Sequence, residues 1–80
     1  MPRDDIAARL TDLLRDFFRQ PALALAEETT AADVPGWDSL AHIDLMVTIE
    51  KAFAIRLSTR EVRGMKNIGA LLDILAQKTA

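Results

Sequence analysis

The sequence predicts an all-α four-helix bundle, with three longer helices, one short third helix and a long loop between helices 1 and 2. Apolar residues recur at three- and four-residue steps in three separate segments, the mark of one buried helix face. Pro21, Pro35, Gly36 and Gly64 fall between these segments and punctuate them. No stretch holds the period-two alternation of a strand for long enough to form one.

Helix 1 is expected over about residues 3–19, where Ile6, Leu10, Leu13, Leu14 and Phe17 share a face. Asp4 and Asp5 at its start and Arg19 near its end suit the helix dipole, and Pro21 stops it. Gln20 to Trp37 has no sustained period, and loops of this length in small domains are often functional. Leu23, Leu25 and Val34 are expected to pin that loop to the bundle, with a short helical turn near Ala31–Val34. Helix 2 opens at Asp38-Ser39 and carries Leu40, Ile43, Met46, Val47, Ile49 and Phe53 at helical spacing. The chain should leave the helix between Ala54 and Leu57. Ser58 is expected to cap a short helix 3 running to about Arg63, with Glu61 completing a capping box and Gly64 ending it. Asn67 caps the last helix, whose apolar face is Ile68, Leu71, Leu72 and Leu75.

At 80 residues the chain reads as one domain, able to bury a small core but no deep catalytic cavity. Its apolar runs are far shorter than the roughly 20 residues a membrane span needs, and acids occupy the place of a signal peptide's apolar stretch. A soluble, cytoplasmic monomer without membrane insertion is expected. With no cysteine there is no disulfide or thiolate chemistry, and the one histidine, His42, has no ligand cluster around it for zinc. Charge is unevenly spread. Gln20 to Glu50 holds six acids and no Lys or Arg, whereas Lys51 to Ala80 holds six bases against two acids. The middle of the chain should project a negative field toward basic partners, unless its acids serve only as a solvated surface.

The segment Gly36-Trp37-Asp38-Ser39-Leu40 carries the chemistry. It lies where the long loop enters helix 2, at N–H groups that lack intrahelical partners and bear partial positive charge. Such an end seats a phosphate. On local grounds alone Asp38 and Ser39 read better as ordinary helix caps.

The wider pattern resembles the acyl carrier protein family. Asp38-Ser39-Leu40 is similar to that family's Asp-Ser-Leu attachment motif, Gly36 to Leu57 to its recognition helix and following loop, and Asn67 to Leu75 to its last helix. Helix order and loop length agree over nearly the whole chain. The resemblance implies that a phosphopantetheinyl transferase attaches a 4'-phosphopantetheine arm covalently to Ser39. The arm's thiol would then carry acyl intermediates as thioesters for fatty-acid, polyketide or related specialised biosynthesis. The reactive sulfur would belong to the cofactor, which accounts for a carrier without cysteine. Acyl-loading and acyl-using enzymes (a ligase, ketosynthase or acyltransferase) are the implied partners. They would dock on helix 2 through Asp38, Leu40, Ile43, Asp44, Val47 and Glu50. Leu45, Met46, Ile49, Ile55, Leu57, Ile68 and Leu71 are candidates to line an acyl chain folded between the helices, or else plain core.

Ala41, His42, Lys51 and Trp37 depart from the housekeeping fatty-acid carriers and look more like discrete carriers of specialised pathways. His42 is expected to be an exposed helix residue, and Trp37 to anchor the loop by burial. An aminoacyl or peptidyl carrier is the rival within the class, although Gly36-Trp37-Asp38-Ser39 fits the acyl type better. A helical docking module without a prosthetic group is a further alternative. An esterase-like Ser39–His42 pair lacks a nucleophile elbow and an oxyanion hole. A nucleic-acid-binding bundle would need a basic recognition helix, and helix 2 offers only Lys51.

Overall fold

In the computed structural model, which describes residues 1–79, the chain forms α1 (Arg3–Phe17), a 3₁₀ turn (Ala31–Asp33), α2 (Ser39–Phe53), α3 (Thr59–Arg63) and α4 (Ile68–Lys78). The described residues contain no strand. The all-α expectation holds, and each predicted element is present in order.

The core is one cluster shared by the three longer helices. α1 contributes Ile6, Leu10 and Leu14; α2 contributes Leu45, Met46, Ile49 and Phe53; α4 contributes Ile68, Leu71, Leu72 and Leu75. Leu13 and Phe17, on the edge of the α1 stripe, are half-buried against it. α3 buries no residue fully. Burying a Leu or Ile side chain contributes about 1.5–3 kcal/mol, so these helices are stabilised chiefly by their shared seam.

The helix ends explain where the sequence reading was too long. α1 stops at Phe17 rather than Arg19, because Arg19 turns left-handed at φ 53°. The Arg19 N–H then donates to the Asp16 carbonyl at 3.2 Å and the Gln20 N–H to the Arg15 carbonyl at 2.9 Å. That paired closure uses carbonyls the helix leaves free. α2 ends in the same way at Ala54, φ 55°, with the Ile55 N–H on the Glu50 carbonyl at 3.1 Å.

The long loop is held at both ends of its path. Val34 is buried, and Leu23 and Leu25 pack on the core as expected. The Arg15 guanidinium donates to the Leu23 carbonyl at 2.7 Å. Two loop carbonyls serve α4: Thr29 accepts from Ile68 N–H and Glu27 from Gly69 N–H, both at 2.8 Å. A Cβ at Gly69 would stand 3.2 Å from the Glu27 carbonyl oxygen, so this glycine permits the close approach of loop to helix. Arg3 closes the same corner, reaching Glu27 at 2.8 Å and Asp73 at 2.7 Å.

α3 is kept helical by its ends. Ser58 Oγ accepts the Glu61 N–H at 3.1 Å, and the Glu61 carboxylate accepts the Ser58 N–H at 2.9 Å. The same carboxylate pairs with Lys78 of α4 at 3.1 Å. These contacts, the Ser58 backbone N–H first and Lys78 after it, hold the Glu61 carboxyl below its ordinary value of 4.5.

Two outcomes test this architecture. Leu14→Ala should lower the free energy of unfolding by about 2–5 kcal/mol, and exposed Leu40→Ala by less than about 0.5 kcal/mol, read by chemical denaturation. Because the folded pKa of Glu61 is depressed, its contribution is fully present above the ordinary value of 4.5 and is lost as pH falls through the lower folded value. The Ser58 and Val62 amide resonances should therefore shift toward disordered positions over that acid range, and Glu61→Gln should remove that transition.

Candidate functional site

Four consecutive residues build the entrance to α2. Gly36 takes φ +89°, a conformation side chains rarely adopt, and so turns the chain sharply. Trp37 then faces inward, half-buried, and packs against Phe18 with ring centroids 5.6 Å apart. The expected loop anchor is therefore in place. Asp38 is the N-cap: its carboxylate accepts the Ala41 N–H at 2.8 Å, and its carbonyl accepts the His42 N–H at 2.8 Å. Ser39 follows as the first helical residue and is exposed. Of the two capping candidates, Asp38 takes the structural role, which leaves the Ser39 side chain at the surface.

His42 corrects the expectation of an exposed helix residue. It is half-buried, and both ring nitrogens are engaged. The Trp37 indole N–H donates to His42 Nδ1 at 3.0 Å, the two rings stack at 6.0 Å, and His42 Nε2 lies 3.2 Å from the Val62 carbonyl oxygen. With both nitrogens so occupied, His42 is not positioned as a base for Ser39, and the nucleophile–base pairing weighed from the sequence does not form. The i, i+3 spacing was visible in the sequence, but the two partners that claim the ring come from the loop and from α3.

The residues proposed for docking separate into groups. Leu40 is 77% exposed, Ile43 58% and Val47 44%, an unusual display of large apolar side chains along one helix face. Exposed Asp44 lies beside them on α2. Asp38 stands at the head of the row but is engaged as the cap. Glu50 has turned elsewhere: its carboxylate accepts the Leu57 N–H at 2.9 Å and fastens the segment after α2.

An open groove of about 1050 Å³ runs beside Ser39. Trp37, His42 and Ile43 form one side of it, and Leu57, Val62 and Met65 the other, with Arg63 at the rim. Of the seven acyl-lining candidates, only Leu57 faces this groove. Leu45, Ile49 and Leu71 are fully buried, Met46 and Ile68 nearly so, and Ile55 is half-buried. The five buried ones serve as core in this structure. Val62, Met65 and Arg63 were missed from the sequence. The available signal was an apolar pair three residues apart just past the Ser58 cap, which marks the inner face of a short helix.

A phosphopantetheine group fits these residues. An exposed hydroxyl sits at the start of a fifteen-residue helix, clear of the capping bond, and an apolar groove begins at the same point. Comparison with known proteins agrees. The family model described as "Phosphopantetheine attachment site" matches residues 8–75. The chain is 24% identical over 79 residues to the acyl carrier protein of Acidothermus cellulolyticus, spanning 99% of this chain and 94% of that one. It is 34% identical over 77 residues to polyketide synthase ThaG of Burkholderia thailandensis, covering 91% of this chain but 1% of that very long protein. The solution structure of a holo acyl carrier protein from Geobacter metallireducens superposes with a TM-score of 0.85 at 35% identity, over 90% of this chain and 83% of that one.

The cap assignment predicts a reversal of the usual expectation for a motif serine. Asp38→Ala should destabilise the fold by about 1 kcal/mol, whereas Ser39→Ala should change it by less than about 0.5 kcal/mol, measured by thermal or denaturant unfolding. A capped helix start that leaves its serine outside, a groove leading from it, and a family match spanning nearly all of the bundle have one common reading: the chain belongs to the phosphopantetheine-bearing acyl carrier protein family.

Proposed function

We propose that Ser39 is the residue that bears the arm, and that the protein is a non-catalytic carrier whose partners dock on α2. The observation that carries this is the exposure of Ser39 on the first turn of α2, with its neighbour Asp38 as the cap. When bound, the arm supplies a terminal thiol that holds acyl groups as thioesters. The chain's own residues do the presenting. Gly36 and Trp37 fix the direction from which the backbone enters α2, so the serine is aimed outward. The unpaired N–H groups of the first turn receive the negative charge of a phosphodiester.

Leu40, Ile43 and Val47 form the apolar strip of the docking face, and Asp38 and Asp44 supply its charge. Charges at the rim of such a face set encounter rate and orientation more than final affinity. A phosphopantetheinyl transferase and the acyl-loading and acyl-using enzymes of the pathway are the partners, and basic surfaces on them fit this helix. The similarity to a segment of a polyketide synthase supports an acyl cargo over an aminoacyl one. No helix among the described residues is long and apolar enough to cross a membrane.

Incubation with coenzyme A and a broad-specificity transferase should add the mass of one arm to the wild-type chain and nothing to Ser39→Ala. Uptake by the Ala variant would refute the assignment. Asp44→Lys should slow the modification at low salt, with the difference shrinking as salt rises; equal rates at low salt would remove electrostatics from the docking account.

A further inference from the structure

The contacts of His42 span three separate parts of the chain. The indole N–H of Trp37 only donates, so His42 Nδ1 must be the bare acceptor at 3.0 Å. The Val62 carbonyl only accepts, so His42 Nε2 must carry the proton at 3.2 Å. One tautomer of the ring satisfies both demands. Val62 lies in the last turn of α3, where carbonyls lack helical partners, so His42 also caps the end of that helix. Trp37 is backed by Phe18, which in turn packs edge-on against Phe17 of α1 at 4.9 Å. A continuous chain of contacts therefore runs from α1 through the loop and α2 to α3, one turn beyond Ser39.

We propose that Trp37, His42 and the Val62 carbonyl form a latch across the passage between α2 and α3, so that a short saturated acyl chain on the arm lies in the outer groove and enters the core only when the latch opens. The proposal rests on Ser39 bearing the arm. The dimensions carry it. A methylene chain threading between two groups needs a carbon contact of about 3.5–4.0 Å on each side, roughly 7 Å in all. The His42 and Val62 atoms stand 3.2 Å apart. Outside the latch the groove offers apolar cover from Ile43, Leu57, Val62 and Met65. Inside it, Leu45, Ile49 and Leu71 are already fully buried against one another's helices. The charged groups lining the same groove are Asp38, from the start of α2, and Arg63, from α3.

Nitrogen-15 spectra of the unmodified chain should show His42 with a bare Nδ1 and a protonated Nε2; the opposite tautomer, or an averaged mixture, overturns the latch. His42→Phe keeps a ring but removes both hydrogen bonds, and Trp37→Phe removes only the indole donor. Amide exchange at Val62 and Gly64 should rise roughly tenfold in the first variant and less in the second. The amides of Leu45, Ile49 and Leu71 should be unchanged, which shows that the bundle is intact. Equal exchange at α3 in all three proteins sinks the proposal. On the arm-loaded chain bearing a medium-length saturated acyl thioester, nuclear Overhauser contacts should reach Ile43, Leu57, Val62 and Met65 in the wild type, and Leu45 or Leu71 only in His42→Phe. Core contacts in the wild type overturn the latch even if the arm is in place. Failure of the wild-type chain to take up the arm overturns the Ser39 reading, and with it the acyl half of this proposal, while the tautomer and exchange results judge the latch by themselves.

Discussion

The direction in which the backbone enters α2 governs the rest of the site. Gly36 in a left-handed turn, Trp37 driven inward onto Phe18, and Asp38 bonded to the Ala41 N–H together leave Ser39 no orientation but outward. Each contact is modest. A cap contributes about 1 kcal/mol, and an aromatic pair about 0.5–1.5 kcal/mol beyond its buried area. Their effect on geometry is larger than their effect on stability, because a helix transmits the placement of its first turn along its whole length. Leu40, Ile43 and Val47 emerge on the surface, and Leu45, Ile49 and Phe53 go inside, as consequences of that one entry angle. The proposed attachment point and the proposed docking strip are thus set by the same few residues.

The division of labour within α2 resolves an ambiguity in its composition. A helix that is apolar on more than one side has either two buried faces or one face reserved for a partner. Here the core side is complete without Leu40, Ile43 and Val47, since α1 and α4 already enclose Leu45, Met46, Ile49 and Phe53. The remaining apolar strip has no partner within the described chain. Exposed apolar side chains in a row, flanked by Asp44, suit the docking face proposed above, where apolar contacts would hold a partner and charge would orient it.

Most of the fold was legible in the sequence because its signals are local. The apolar period of α1 and α4 marked their buried faces, and the Ser58–Glu61 and Asn67 caps marked two helix starts to the residue. Ser39 stands out for a different reason, through the resemblance of a long surrounding pattern rather than any property of a lone serine, and its exposure at the head of α2 supports the proposed role. What escaped the sequence was set by contacts between distant segments. Arg19 looks like a good last-turn residue, yet its left-handed backbone ends α1 early. Glu50 looks like a surface acid of α2, yet it serves the Leu57 N–H. His42 looks exposed from its place on the helix, and only the arrival of Trp37 from one side and Val62 from the other buries it. A single-element reading has no access to such pairings, since neither spacing nor propensity encodes which carbonyl will be left over at the end of a neighbouring helix.

That leftover carbonyl bears on which part of the molecule moves. A five-residue helix is far too short to be stable by itself, and α3 has no fully buried residue to hold it down. Half-buried Val62, with Leu57 and Met65 on either side of the helix, packs on the core, and polar contacts fix the two ends: the Ser58–Glu61 box with Lys78 at the start, and His42 at the finish. Apolar burial is non-directional and fades gradually with distance, but a hydrogen bond is lost within about an ångström of displacement. A wall held in this way is either in register or free. On the proposed reading, in which Ser39 bears the arm, the wall beside that serine is the place where two discrete states are useful. The proposed docking strip lies on the same helix as His42, so a partner seated on Ile43 would press against the neighbour of the residue that contacts the Val62 carbonyl.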